Sequence, residues 1–136
     1  MTTKKLPDNL HPDTLAVRVG IERSQFGENS EALYLTSGFV QPDAETSARR
    51  FAGTEEGYTY GRTSNPTVTS FERRLAALEG TQAALGASTG MGAILMMCMG
   101  LLKSGDHVVC SHSVFGSPRA LLGREFAMFG ALRPLV

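Results

Sequence analysis

Beyond residue 65 the apolar positions of this chain recur in a regular order, and before residue 58 they do not. Val68, Phe71, Leu75 and Leu78 follow one another at spacings of three and four, which predicts a helix with one buried stripe. Asn65 suits its N-cap and Pro66 its first turn. Arg73, Arg74 and Glu79 face away from the stripe, and Gly80 supplies the stop. Residues 82–88, "QAALGAS", form a short apolar run of strand character ending in a polar loop. Residues 90–102 are apolar nearly all round, as a helix buried between layers would be. "KSGD" (103–106) reads as a turn and "HVVC" (107–110) as a short buried strand. Residues 111–118 read as a loop, with Ser117 capping and Pro118 opening a last helix whose stripe is Leu122, Phe126 and Phe129. Gly130 ends that helix, and residues 131–136 resemble one more strand.

Strand, helix, strand, helix predicts an α/β fold with a parallel sheet and right-handed crossovers. Residues 1–57 break this order. Pro7, Pro12, Pro42, Gly20, Gly27, Gly38 and Gly53 punctuate them. A short helix from Pro12 or Asp13 to Gly20, with Leu15 and Val19 on one side, and an extended run over 32–40 are expected there. This part reads as an arm that packs on something else. Pro134 lies within the last expected strand and cannot donate to its ladder. A natural domain rarely stops at such a point, so the sequence is expected to be a piece of a longer protein.

At 136 residues the chain can bury one ordinary core. Thirteen basic residues balance thirteen acidic ones, which excludes the basic excess of a nucleic-acid or membrane-surface protein. Lys4 and Lys5 have no apolar run behind them, so a secretory signal is not expected. The apolar stretch 91–102 is too short to cross a bilayer. Cys98 and Cys110 read as buried free thiols of a cytoplasmic protein.

Three stretches carry candidate chemistry. Tyr60 and Arg62 stand two apart in an extended-looking run, where the planar guanidinium could reach an anion with the phenol beside it. A surface strand leading into a helix is the plain alternative. "ASTGMGAI" (87–94) joins a strand to a helix, so Gly90 and its neighbouring amides could meet an anion at a helix N-terminus. A turn that needs glycine for backbone freedom is the alternative. Phe115 follows a strand at the presumed carboxyl edge of the sheet, where an aromatic could stack on a planar cofactor or simply belong to the core. His107, Cys110 and His112 do not share one strand face, and no further Cys or His pair completes a zinc-like set, so no metal is expected.

Taken together, "TLAVRVGIERSQFGENSEALYLTSGFV", "YTYGRTSNPTVTSFERRLAALEG", "ASTGMGAI", "LLKSGDHVVC" and "SVFGS" resemble the transsulfuration family of pyridoxal-phosphate-dependent enzymes of cysteine and methionine metabolism. The resemblance covers almost all of the chain. The Y-x-R…NPT block combined with the S-x-G-M block is specific to the family. "FGENSEALYLTSGFV" and the phenylalanine of "SVFG" look most like its O-succinylhomoserine sulfhydrylase branch.

The resemblance implies a partial fold-type-I, aspartate-aminotransferase-like large domain from residue 58 to 136, preceded by an N-terminal interface arm over 1–57. It implies pyridoxal 5'-phosphate as cofactor. Tyr60 and Arg62 would reach across a subunit interface to its phosphate, Gly90 and Met91 would give backbone amides to the same group, and Phe115 would stack on the pyridine ring. It implies O-succinyl-L-homoserine and sulfide as substrates of the intact enzyme, L-homocysteine as product, and a homo-oligomer, dimer or tetramer. The same motifs leave open a cystathionine γ-synthase, an O-acetylhomoserine sulfhydrylase or a methionine γ-lyase. Family members are far longer, and their Schiff-base lysine comes from later sequence. Only Lys4, Lys5 and Lys103 occur here, in a polar tail and a turn, so no residue of this chain is assigned a catalytic role and the chain alone is expected to be inactive. A hypothesis of another class is a non-catalytic module that pairs with full-length subunits.

Overall fold

The computed structural model describes residues 9–128 and the backbone of 133–135. Two compact units divide after Gly86.

The first unit is built around two helices, α1 (Pro12–Arg18) and α3 (Pro66–Glu79), with the polar helix α2 (Ala44–Phe51) between them in the sequence. α1 and α3 pack together. Behind α1 the chain turns at Gly20, whose φ of 82° favours glycine, and passes so close to α3 that a Cβ there would lie 2.3 Å from the Ser70 carbonyl oxygen. Ile21 is buried beyond that turn. Arg74 then fastens the segment. Its Nε donates to the Val19 carbonyl at 3.0 Å, and its two terminal nitrogens donate to both Glu31 oxygens at 2.9 and 3.0 Å. Arg74 was expected to face solvent with Arg73, but residues 19–31 run across it and leave it half-buried. Arg73 is exposed and pairs with Glu22.

The start of α3 does more than open a helix. Asn65 accepts the Thr67 N–H at 2.8 Å as a cap and donates Nδ2 to the Tyr34 carbonyl at 2.8 Å. Thr67 Oγ1 accepts the Tyr34 N–H at 2.9 Å and donates to the Ala32 carbonyl at 3.3 Å. Pro66 occupies the first turn, and Gly80 closes the helix in the left-handed conformation at φ 66°. The expected stripe is only partly covered: Ser70 and Ala76 are buried, while Val68, Phe71 and Leu78 remain substantially exposed.

The expected strand over 82–88 does not form among the described residues. A strand exists only where a neighbour shares its ladder, and here local groups take the backbone instead. Gly86 N–H goes to Glu72 Oε1 at 2.7 Å, and the Ala83 carbonyl accepts from the Thr81 hydroxyl at 3.2 Å.

The second unit holds α4 (Gly90–Leu101), β1 (His107–Val109), α5 (Gly116–Ala120), a wider π-helical stretch (Leu121–Phe126) that continues it, and β2 (Arg133–Leu135). β1 and β2 are parallel, with His107, Val108 and Val109 opposite Arg133, Pro134 and Leu135. The α/β reading holds here, with two strands among the described residues where three were expected over the chain. Cys98, Leu122 and Phe126 form the core, flanked by Ile94, Leu102, Val108, Cys110 and Leu121. Burial pushes the Cys98 thiol up. Cys110 is only half-buried. α4 is not enclosed as its composition suggests. Met97, Met99 and Leu101 are exposed, because no described element covers that face. The last helix begins one residue before the expected Ser117 cap, with Phe115 at its N-cap and no capping side chain. Pro118 is tolerated within its first turn, where the amide would be unpaired in any case. Phe129 and Gly130 lie outside the described residues.

Candidate functional site

Tyr60 and Arg62 sit at the end of a short antiparallel ribbon in the first unit. Gly38 and Tyr60 form its bridge, closed by Phe39 N–H to the Thr59 carbonyl at 3.2 Å and Gly61 N–H to the Ser37 carbonyl at 2.8 Å. Gly61 is required between the two site residues, since a Cβ there would lie 2.8 Å from the Thr36 carbonyl oxygen. The chain turns immediately afterwards. The Tyr60 carbonyl accepts the Thr63 amide at 2.9 Å, the Thr63 hydroxyl at 2.8 Å and the Ser64 amide at 3.1 Å. Arg62 therefore lies in a turn and not on a strand face beside Tyr60, as the spacing suggested. The turn still brings the pair together, with the guanidinium carbon 5.5 Å from the centroid of the Tyr60 ring. Neither the Tyr60 hydroxyl nor the Arg62 guanidinium has a hydrogen-bond partner among the described residues. By contrast Arg49, Arg50 and Arg74 are held by carboxylates. A stacked, exposed and unpaired guanidinium is what an anion can engage bidentately.

Gly90 and Met91 open α4 in the second unit. Thr89 caps the helix by accepting the Gly92 N–H at 2.9 Å, and the Thr89 carbonyl takes the Ala93 amide. The Gly90 and Met91 amides then have no acceptor among the described residues. The first turn carries no acidic side chain to neutralise them, and nothing lies within 4 Å of a Cβ built on Gly90. Two free donors at the positive end of a helix, beside open space, fit a phosphate group. Phe115 stands in the same unit after β1, at the N-cap of α5, and the residue is 75% exposed. No core among the described residues takes up this side chain, and its exposed surface is of the kind that can stack on a planar ring.

Several residues around the first pair had no signal in the sequence. Gln41 Nε2 donates to the Phe39 carbonyl at 2.8 Å and to the Tyr58 carbonyl at 3.0 Å, while its Oε1 accepts from Arg50 at 2.9 Å. Glu55 binds both Arg49 and Arg50, and the Arg49 guanidinium foremost holds its carboxyl below the usual range. The cap at Thr89 could have been found, because a Thr directly before a glycine-rich helix start is a standard N-cap choice. Three or more His, Cys, Asp or Glu side chains poised around a common metal site do not occur among the described residues. None of the described helices is long and apolar enough to cross a membrane.

The model of the "Cys/Met metabolism PLP-dependent enzyme" family matches residues 13–133. The chain belongs to that family. It is 51% identical over 118 residues to an O-succinylhomoserine sulfhydrylase of Pseudomonas aeruginosa, covering 87% of this chain and 29% of the relative. It is 41% identical over 117 residues to an L-methionine gamma-lyase of Fusobacterium nucleatum, covering 86% and 30%. The chain thus spans about three tenths of the length of the curated relatives it matches. Among solved structures, an O-acetylhomoserine (thiol)-lyase from Campylobacter jejuni, which carries a pyridoxyl-lysine phosphate, superposes with a TM-score of 0.86 at 28% identity over 93% of this chain and 32% of its own. The fold is accordingly part of the fold-type-I arrangement of pyridoxal-phosphate enzymes.

Proposed function

We propose that this chain is the N-terminal part of an O-succinylhomoserine sulfhydrylase, which replaces the succinate on the γ carbon of O-succinyl-L-homoserine with sulfide to give L-homocysteine for methionine synthesis. The observation that carries this reading is the 51% identity to a sulfhydrylase of that specificity. In the whole enzyme the γ C–O bond breaks, a C–S bond forms, and succinate leaves with the electron pair. Pyridoxal phosphate, when bound, supplies the electron sink for that exchange.

The residues of this chain do the holding. Arg62, presented on the Tyr60 ring, and the Tyr60 hydroxyl grip the cofactor phosphate of a neighbouring protomer. Gly90 and Met91 donate their free amides to the phosphate within their own protomer, and the exposed face of Phe115 stacks on the cofactor ring. Residues 1–57 serve as the interface arm of a homodimer or homotetramer, and residues 58–136 begin the cofactor domain. The enzyme works in the cytoplasm.

A second reading, γ-elimination from L-methionine, is favoured by the 41% identity to a methionine gamma-lyase. One experiment separates them. A protein of family length that includes these 136 residues is supplied with O-succinyl-L-homoserine and sulfide, and in parallel with L-methionine alone. Homocysteine and succinate in equal amounts are expected in the first reaction. Methanethiol from the second, with no homocysteine in the first, overturns the proposal in favour of the lyase.

A further inference from the structure

The ribbon that carries Tyr60 is too small to hold itself. Two ladder hydrogen bonds join residues 37–39 to 59–61, and an isolated two-stranded pairing is marginal in water even when longer. Its base is fastened where Asn65 and Thr67 bind residues 32–34. Its other end lies in the direction of Phe39 and Tyr58, whose rings stand 5.5 Å apart.

That end is clamped by one side chain. Gln41 follows the first limb, and its Nε2 donates to the Phe39 carbonyl on that limb and across the ribbon to the Tyr58 carbonyl on the other. Only one orientation of the amide suits the site, because two carbonyls face its nitrogen and a guanidinium faces its oxygen. Arg50 fixes that orientation through its contact with Gln41 Oε1 at 2.9 Å, and Glu55 holds Arg50 at 3.2 Å. Gly57 makes room for the arrangement. A Cβ at that position would lie 2.4 Å from Arg50 Nε.

We propose that Gln41, oriented by Arg50, is a positioning residue: it clamps the two limbs of the ribbon and so sets where Tyr60 and Arg62 present themselves to an anion. This rests on the reading of that pair as phosphate ligands, and it adds a residue to which neither the family description nor the names of its relatives assign a role.

Hydrogen exchange and selectively labelled side-chain NMR on a protein of family length that includes these residues test the clamp itself. Gln41→Leu removes both bonds, the local one to Phe39 and the one to Tyr58 that crosses the ribbon, and Gln41→Glu keeps the shape and the contact to Arg50 but sets oxygens against both carbonyls. Each variant is expected to speed exchange of the Phe39 and Gly61 amides by about tenfold, given roughly one tenfold factor for a pair of partly exposed hydrogen bonds. Amides within α3 should be unaffected, and the Arg62 Nε–H resonance should lose the upfield displacement it owes to the Tyr60 ring. Equal acceleration in α3, or an unmoved Arg62 resonance, would show that Gln41 is merely structural and sink the proposal. If Gln41→Leu does not fold, Gln41→Glu alone decides by the same criteria. In the protein of family length, retention of pyridoxal phosphate on dialysis then separates the two claims. Retention by Arg62→Ala equal to the parent removes the phosphate reading. Loss by Arg62→Ala without loss by Gln41→Leu removes the positioning role alone.

Discussion

The Arg62 guanidinium stands over the Tyr60 ring, its central carbon 5.5 Å from the ring centroid, and no carboxylate among the described residues competes for it. The ring lends the cation an approach direction, and the cation keeps its donors free. In a protein of family length, Arg62→Ala should therefore weaken cofactor retention more than Tyr60→Phe. The first removes a cation that can engage the phosphate through two charge-assisted hydrogen bonds, each worth about 1.5–3 kcal/mol, and the second removes a single hydroxyl bond to the same anion while the ring remains. Residual cofactor after exhaustive dialysis measures both, and equal retention in the two variants would contradict the assignment.

Asn65 has two tasks, and they can be separated. Asn65→Ala loses the cap on α3 and the bond to the Tyr34 carbonyl, for a combined loss of about 1.5–3 kcal/mol. Asn65→Asp keeps an acceptor for the Thr67 amide but has no donor for Tyr34, so it should fall between Ala and the parent. Urea denaturation of the 136-residue chain gives the order. An Asp variant as stable as the parent would show that the contact to Tyr34 contributes nothing.

Acid should loosen the first unit through Glu31. Arg74 hydrogen-bonds to both oxygens and holds this carboxyl at about 2, against 4.5 for an ordinary glutamate. A carboxyl depressed in the folded state contributes fully above its unfolded value, and the contribution fades as pH falls from about 4.5 towards 2. Glu31→Gln should flatten the stability profile across that window and leave its slope unchanged above it. Denaturation midpoints at a series of pH values test this, and parallel curves for variant and parent would refute it.

Expressed by itself, the chain should associate. Met97, Met99 and Leu101 on α4 and Val109 on the short sheet are 53–81% exposed, an apolar surface of a kind that soluble monomers seldom leave bare. The outer edges of β1 and β2 also offer unpaired backbone to other chains. Light scattering behind size exclusion should show mass rising with concentration. A sharp monomer with a cooperative melt would instead support a self-sufficient binding module.

Legibility in the sequence followed the hydrophobic period. α3, α4 and β1 were readable within a residue or two because their apolar spacing, Asn65 and Gly80 carry local signals. α2 was not, since only Thr46 of its residues is buried and its stability comes from the Asp43 cap and the Arg49, Arg50 and Glu55 contacts. Charge pairs leave no period. The strand expected at 82–88 failed for the opposite reason: its pattern is right, but a ladder needs a partner that local sequence cannot announce. At the candidate site, Tyr60, Arg62, Gly90, Met91 and Phe115 were nameable through a family resemblance. Gln41 and Thr67 were not, because what they do is set by residues distant in the chain, such as Arg50, Tyr58 and Tyr34.

Three donors converge on the main-chain oxygen of Tyr60, from the Thr63 amide, the Thr63 hydroxyl and the Ser64 amide. The backbone at this position is thus held independently of what projects from it. The residue is a socket with an interchangeable fitting. Fluorotyrosine placed there by an expanded genetic code would keep the main chain where it is and put a fluorine reporter beside Arg62. Its resonance would then register the arrival of a phosphate directly, so that occupancy can be followed without any change in colour or turnover.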